Sequence, residues 1–257
     1  MQTIAIVNRR GGVGKTATAN ALGAGLFRRG YKVLFIDLDS QTNLTFDTGA
    51  KPGRFSSMDV LTGQATAEQA ITATPQGDII PGSNALSGAD LIISSTGKEY
   101  RLKEAIAPII GRYDFIVIDT PPALGTLATN ALTAATAAII PAQAEIHSLQ
   151  GIALLSETIA AVKKYTNPAL TINGILLTRY NGRAIISKDM KSNIDAAAAH
   201  LGTKVYKAPI RECVAIREAQ ALQQDIFTYA PQSNAAKDYK AFIDEFLEGS
   251  IDNAENV

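Results

Sequence analysis

Asn8-Arg9-Arg10-Gly11-Gly12-Val13-Gly14-Lys15-Thr16-Ala17-Thr18 is the stretch whose reading decides the fold. The apolar run Ile4 to Val7 leads into it and a helix-compatible run follows. Strand, glycine-rich turn and helix start together make a phosphate cradle. The glycines allow positive φ, so the backbone can wrap closely around a phosphate. Successive N–H groups then point inward, and the helix N-terminus adds its partial positive charge. The lining predicted is Gly11, Gly12, Val13, Gly14, Lys15, Thr16 and Ala17, with Lys15 on the β- and γ-phosphates and the Thr16 hydroxyl on Mg²⁺.

Working outward, Thr3 to Asn8 reads as a strand buried on both faces of a parallel sheet. A helix is predicted from about Lys15 to Arg29, with Gly30 at the C′ position. Lys32 to Asp37 is the next strand, which completes a right-handed βαβ unit. Asp37-Leu38-Asp39-Ser40-Gln41-Thr42-Asn43 follows at the carboxyl end of that strand, the edge where open α/β sheets bind ligands. Asp37 and Asp39 lie two apart, so in extended chain they face one way, and two such carboxylates call for a cation or a reacting water between them. The same residues could instead close Asx-type turns.

Tyr113-Asp114-Phe115-Ile116-Val117-Ile118-Asp119-Thr120-Pro121-Pro122 is the second motif. Four apolar residues ending in Asp119 form a Walker B strand, whose carboxylate would hold a Mg²⁺-bound water. The prolines force the chain to turn there. Further strands are predicted at Asp78 to Pro81, Ala137 to Pro141, Leu170 to Thr178 and Val205 to Ile210. Helices are predicted at Met58 to Leu61, Ala67 to Ile71, Leu86 to Ser94, Arg101 to Ile110, Leu127 to Ala135 and Ser148 to Tyr165. A last helix, Ala235 to Leu247, carries the stripe Tyr239, Phe242, Ile243, Phe246 and Leu247, which reads as core packing.

The P-loop departs from the common G-x-x-x-x-G-K-[ST] pattern, because Arg9 stands where its first glycine belongs. It resembles the deviant form Lys-Gly-Gly-x-Gly-Lys-Thr of the ParA/MinD class of ATPases, and the match is nearest to ParA-type partition ATPases. Asp37 to Asn43 resembles that family's Asp-x-Asp-Pro-Gln-x-Asn, with Ser40 for proline. Ile140 to Glu145 resembles Ile-Pro-x-Gln-x-Glu. Gly174 to Tyr180 resembles Gly-Ile-Leu-Leu-Thr-x-Tyr, and Arg183 falls on the loop arginine. The resemblance runs from Met1 to about Leu247.

It implies a three-layer α/β fold, a mostly parallel twisted sheet flanked by helices, as a single domain over residues 1–248 with an acidic flexible tail at 249–257. It implies an ATPase that uses ATP and Mg²⁺, forms a homodimer when ATP is bound, binds DNA non-specifically, and is stimulated by a ParB-type adaptor protein. Asp39 would orient the attacking water and share the metal site with Thr16 and Asp119. Pro209, Ile210 and Arg211 would lie near the adenine. Arg10 occupies the place of the signature lysine that reaches the partner's phosphates, and hydrolysis is expected to be slow. The segment Ile210 to Ala219 resembles Ile-Pro-Arg-Asn-Val-Arg-Leu-Ser-Glu-Ala with its arginines displaced: Ala215 takes one position and Arg217 appears two residues later. DNA contacts are assigned to Lys188, Lys191, Lys204, Lys207, Arg211 and Arg217. A MinD-like or cargo-positioning switch that does not act through DNA is the alternative.

Composition sets outer limits. The 257 residues suffice for a large core, and 46% hydrophobic with 19% charged residues is typical of a globular α/β chain. Net charge is zero, so any DNA contact must be a local patch. Cys213 is the only cysteine, which rules out an intrachain disulfide, and it reads as a plain loop residue. His147 and His200 have no metal spacing. The chain opens directly into strand and P-loop, and no apolar run reaches membrane-span length, so a cytoplasmic protein, nucleoid-associated when ATP-bound, is expected. The acidic polar face of the last helix disfavours an anionic membrane as partner.

Overall fold

The computed structural model describes residues 1–51, 53–182 and 184–254, with the side chains of 185–188 and 250–254 outside that description. Its strands are β1 (Gln2–Ile6), β2 (Val33–Asp37), β3 (Thr72–Thr74), β4 (Gly77–Ile80), β5 (Phe115–Asp119), β6 (Ala137–Ala142) and β7 (Thr171–Leu177). They form one sheet in the order β3-β4-β2-β5-β1-β6-β7. All neighbouring pairs run parallel except β3 with β4. The helices are α1 (Lys15–Phe27), α2 (Asn43–Asp47), α3 (Ser57–Thr62), α4 (Ala67–Ala70), α5 (Ala89–Ile92), α6 (Arg101–Ile106), α7 (Thr126–Ala134), α8 (Ile146–Tyr165), α9 (Ile185–His200), α10 (Val214–Ala221), α11 (Ile226–Tyr229) and α12 (Asn234–Ala254).

The expected α/β architecture is present, and its core follows from strand periodicity. Successive residues of a strand point to opposite faces, and the central strands are apolar on both. Ile4, Ile6, Phe35, Val117, Ile139 and Leu176 enter one core, with residues of α1 and α12. Ala5, Leu34, Ile36, Ile118, Ile140 and Leu177 enter the other, with residues of α3, α6, α7 and α8. Tyr239, Phe242, Ile243 and Phe246 of α12 are buried, so that stripe is core. Glycines let α1 approach closely: a Cβ on Gly23 would stand 2.1 Å from Phe35 of β2, and one on Gly25 2.3 Å from Ile243 of α12.

Several boundaries differ from the sequence reading. Val205 to Ile210 does not form a strand: it makes only the isolated bridge Ile175 to Val205, with a second at Tyr180 to Arg211. Pro209 in that stretch has no N–H to give a ladder. The 84–94 stretch is a 3₁₀ turn (Asn84–Gly88) followed by α5, not one helix. β3, α9 and α10 were not anticipated. Cys213 lies in a loop, as read from the sequence, at the N-cap position just before α10. Helix α12 runs on to Ala254, so the stretch expected as a tail from 249 begins inside it. Arg183 lies outside the described residues, as does the side chain of Lys188.

Candidate functional site

β1, β2 and β5 lie side by side, so their carboxyl ends bring the P-loop, the Asp37–Asn43 segment and Asp119 to one edge. The register sets Ile6 beside Asp119 and Asp37 beside Asp119. In the loop, Gly12 and Gly14 take φ of 74° and 83°, values that a side chain would strain. Gly14 is also the N-cap of α1. The loop is held from outside by several side chains. Asn8 donates to the Pro141 carbonyl at 2.7 Å and accepts from the Arg10 N–H at 3.0 Å. Gln143 donates to the Gly12 carbonyl at 3.0 Å, and the Thr178 hydroxyl to the Val13 carbonyl at 2.8 Å. Gln143 and Thr178 belong to motifs the sequence had marked, but their scaffolding contacts were not foreseen, because each crosses more than a hundred residues.

Lys15 is buried, and its ammonium donates to the Arg10 carbonyl at 3.0 Å. Burial pushes its pKa below the ordinary value, against the opposing pull of the Asp119 and Asp39 carboxylates. The Thr16 hydroxyl donates to Asp119 Oδ2 at 2.7 Å. Asp119 Oδ1 is buried without a hydrogen-bond partner. Burial, reinforced by the Asp37 carboxylate, holds the Asp119 carboxyl well above the usual carboxylate range. An orphaned buried carboxylate oxygen is costly unless a cation or donor meets it.

That oxygen, with Thr16 Oγ1 and the Asp39 carboxylate nearby, makes an all-oxygen donor set suited to a hard cation. Among the described residues no group of three His, Cys, Asp or Glu could hold a metal by itself. This agrees with Mg²⁺, which usually takes one or two protein ligands and completes its shell with phosphate and water. The residues present therefore fit that ion.

The two carboxylates of the Asp37–Asn43 segment do not share one target, which corrects the sequence reading. Asp37 is fully buried and structural: its Oδ1 accepts from the Asp39 N–H at 3.0 Å, and its Oδ2 from the Thr45 N–H at 2.9 Å and hydroxyl at 2.7 Å. Burial pushes it up to about 6. Asp39 closes a second turn by accepting from the Gln41 N–H at 3.0 Å. The Asx-turn reading thus holds for both residues: Asp37 is wholly enclosed, and Asp39 lines an opening it shares with Gln41 and Pro121. Thr42 takes φ 54° where α2 starts, which completes the sharp exit.

Beside the P-loop a cavity of about 230 Å³ runs from Gly12 and Gly14 past Ala17 to Ile210, Ile216 and Gln220. Ile210 and Arg211 line it, and Pro209 does not. Arg179, with φ 49°, pairs with Glu212 at 2.8 Å, and both residues line the cavity. Arg211 forks onto Asp238 at 2.6 Å. Arg10 folds back onto Glu145 within its own chain at 2.6 Å. Of the residues assigned to DNA, Lys191 pairs with Asp195 and Lys204 with Glu245, while Lys207 and Arg217 are exposed and take part in none of these ion pairs. No helix among the described residues is long and apolar enough to cross a membrane.

Comparison with known proteins agrees with this geometry. A protein-family profile described as an AAA domain matches residues 1–172. The chromosome partitioning protein ParA of Caulobacter vibrioides is 38% identical over 236 residues, covering 89% of this chain and 87% of that protein. The sporulation initiation inhibitor protein Soj of Bacillus subtilis is 37% identical over 241 residues, covering 92% and 94%. Among solved structures, a Mycobacterium smegmatis protein described as cobyrinic acid a,c-diamide synthase, with bound ATP analogue and magnesium, is 33% identical with a TM-score of 0.82, covering 95% and 93%. A phosphate cradle, an aligned Asp119 and relatives matching almost end to end place this chain in the ParA/Soj family of P-loop ATPases.

Proposed function

We propose that the chain is a partition ATPase whose ATP-bound form is a homodimer that coats DNA without sequence preference and is discharged by a ParB-type adaptor. The observation that carries the nucleotide part is Asp119: one oxygen is fixed on Thr16 and the other is buried and unpartnered beside the P-loop. ATP lies with its triphosphate over Gly11 to Thr16 and its base in the cavity bounded by Ile210 and Ile216. Thr16, Asp119 and Asp39 would hold Mg²⁺, which when bound would supply charge neutralisation for the transferred phosphoryl group. Lys15 turns from the Arg10 carbonyl to the phosphates. Asp39, held by its turn, orients the attacking water and takes its proton. Arg10 leaves Glu145 to meet phosphate, and its planar fork differs in reach from the lysine it replaces. Hydrolysis is correspondingly slow.

The partition role rests on the relatives' printed roles and on how little chemistry the site demands beyond a γ-phosphate switch. The contact to DNA is assigned to Lys207 and Arg217, with Lys188, Lys191 and Lys204 as further cations nearby in the last third. Light scattering with ADP, ATP and a slowly hydrolysed ATP analogue tests the dimer: mass doubles only with the triphosphates, and unchanged mass in all three rejects it. A gel shift with ATP tests the DNA contact. Phosphate-driven binding weakens steeply with added salt, and no shift at low salt with saturating ATP removes the DNA role. Nucleoid association in cells requires both results.

A further inference from the structure

Asp47, the last residue of α2, is buried, and its Oδ2 accepts from Gln220 Nε2 at 2.7 Å. The backbone there is pinned as well: Gln76 donates to the Asp47 carbonyl at 2.9 Å and is itself held by Asn20 at 2.8 Å. Gln220 stands on α10, on the wall of the cavity beside the P-loop. A carboxylate only accepts hydrogen bonds, whereas a glutamine amide has one donating and one accepting end. Turning the amide over would set two acceptors against each other. Asp47 therefore fixes which end of Gln220 faces away from it, and that end is the carbonyl Oε1. Oε1 takes no hydrogen bond from any described residue and is not among the buried unpartnered atoms, so it remains accessible.

We propose that Gln220 Oε1 is a base-reading group, held in its accepting orientation by Asp47, and that it selects adenine over guanine. Adenine presents an exocyclic amine, a donor, where guanine presents O6, an acceptor. An acceptor fixed in the wall bonds the first and opposes the second. A site built to hydrogen-bond one group discriminates strongly against an analogue that leaves its polar atom unpaired. Burial raises the Asp47 carboxyl to about 6, with Asp37 adding to the rise and Gln220 opposing it, so at neutral pH it is still mainly the ionised, accept-only form. Gln220 touches the base, and Asp47 is a positioning residue acting through it. The inference rests on the reading that the base occupies this cavity.

The test is calorimetric titration of the full chain with Mg-ATP and Mg-GTP, on the parent and three variants whose melting curves are checked first. The parent is expected to favour ATP by about tenfold or more, the worth of one good hydrogen bond plus an avoided acceptor clash. Gln220→Leu should bring the two affinities to within about threefold, mainly by weakening ATP. Asp47→Asn frees the amide to turn over, so GTP should gain relative to ATP, a change of ratio that general loosening of the fold would not produce. Ile216→Trp fills the cavity and should weaken both nucleotides alike. If Ile216→Trp weakens binding but Gln220→Leu leaves the ATP-to-GTP ratio at the parent's value, Gln220 is not the reader and the cavity reading stands. If Ile216→Trp changes neither affinity, the cavity reading fails and the inference goes with it. A parent that binds the two nucleotides equally also overturns it.

Discussion

The two ends of the proposed nucleotide site are built in opposite ways. The phosphate end is backbone and buried charge: Lys15 at 7% exposure, Asp119 at 0%, and a loop tied down by Asn8, Gln143 and Thr178. The proposed base end is side chains from the last third of the chain, with the Arg179–Glu212 pair exposed on both sides and the Arg211–Asp238 pair exposed on the arginine side. Charge shielded from water is worth far more per contact than charge at the surface. Loss at the phosphate end should therefore abolish function, while loss at the base end should only tune it.

Lys15→Ala strikes the phosphate end hardest: phosphate release should fall about 10²-fold or more, since a preorganised cation is removed from a shielded site. The melting temperature should hardly change, because the ammonium that leaves was itself destabilised by burial. A variant that keeps activity within a factor of ten would erase the contrast.

Asp119→Asn is the next largest. ATPase activity should fall by about 10²-fold, with weakened response to added Mg²⁺. The nucleotide-free variant should be at least as stable as the parent, because an ionisable group that burial and Asp37 oppose has been neutralised while Thr16 keeps an acceptor. A melting temperature well below the parent's would mean that the carboxylate is a structural anchor.

The pH response of Asp47 gives a middle-sized effect and sharpens the boundary between the ends. Its folded pKa of about 6 exceeds the ordinary 3.8, so between those values the folded chain binds a proton that the unfolded chain releases. Stability supplied by this group therefore rises as pH falls through that window and is lost as pH climbs back through about 6. In melting scans from pH 7.5 to 5, about half a unit or more to either side of that window's upper edge, the parent should gain on Asp47→Asn. Parallel curves for the two proteins would show that the carboxyl titrates normally.

The smallest effect belongs to Arg211→Ala. Its pair with Asp238 is exposed on the arginine side, so stability should move by less than about 1 kcal/mol and ATP affinity by less than about fivefold. A larger drop in affinity would mean that the base end relies on charge as heavily as the phosphate end does.

Much of this was legible in the residues alone. The P-loop, the Walker B strand and the central strands announce themselves because their signals are local: consecutive apolar residues, glycines where positive φ is needed, an Asp at a strand's end. The antiparallel β3 is three residues long, too short for a period to show. Val205 to Ile210 has strand-like composition, yet Tyr206 turns in over Gly174 and only isolated bridges form. The Asp37–Asp39 spacing suggested a shared target. That Asp37 is instead taken up structurally depended on Thr45, whose N–H and hydroxyl both bind it once α2 folds back.

The sequence by itself pointed to a phosphate-binding loop, to the sheet edge where it lies, and to the lysine, threonine and aspartates proposed to serve it. Those decisions need only a few neighbouring residues and the carboxyl edge of a parallel sheet. The tertiary structure alone decided what meets what across long separations: Arg10 on Glu145, Thr178 on the Val13 carbonyl, Asp47 on Gln220. Hydrogen bonds and ion pairs act over a few ångströms, and no spacing along the chain records which distant groups folding will bring that close.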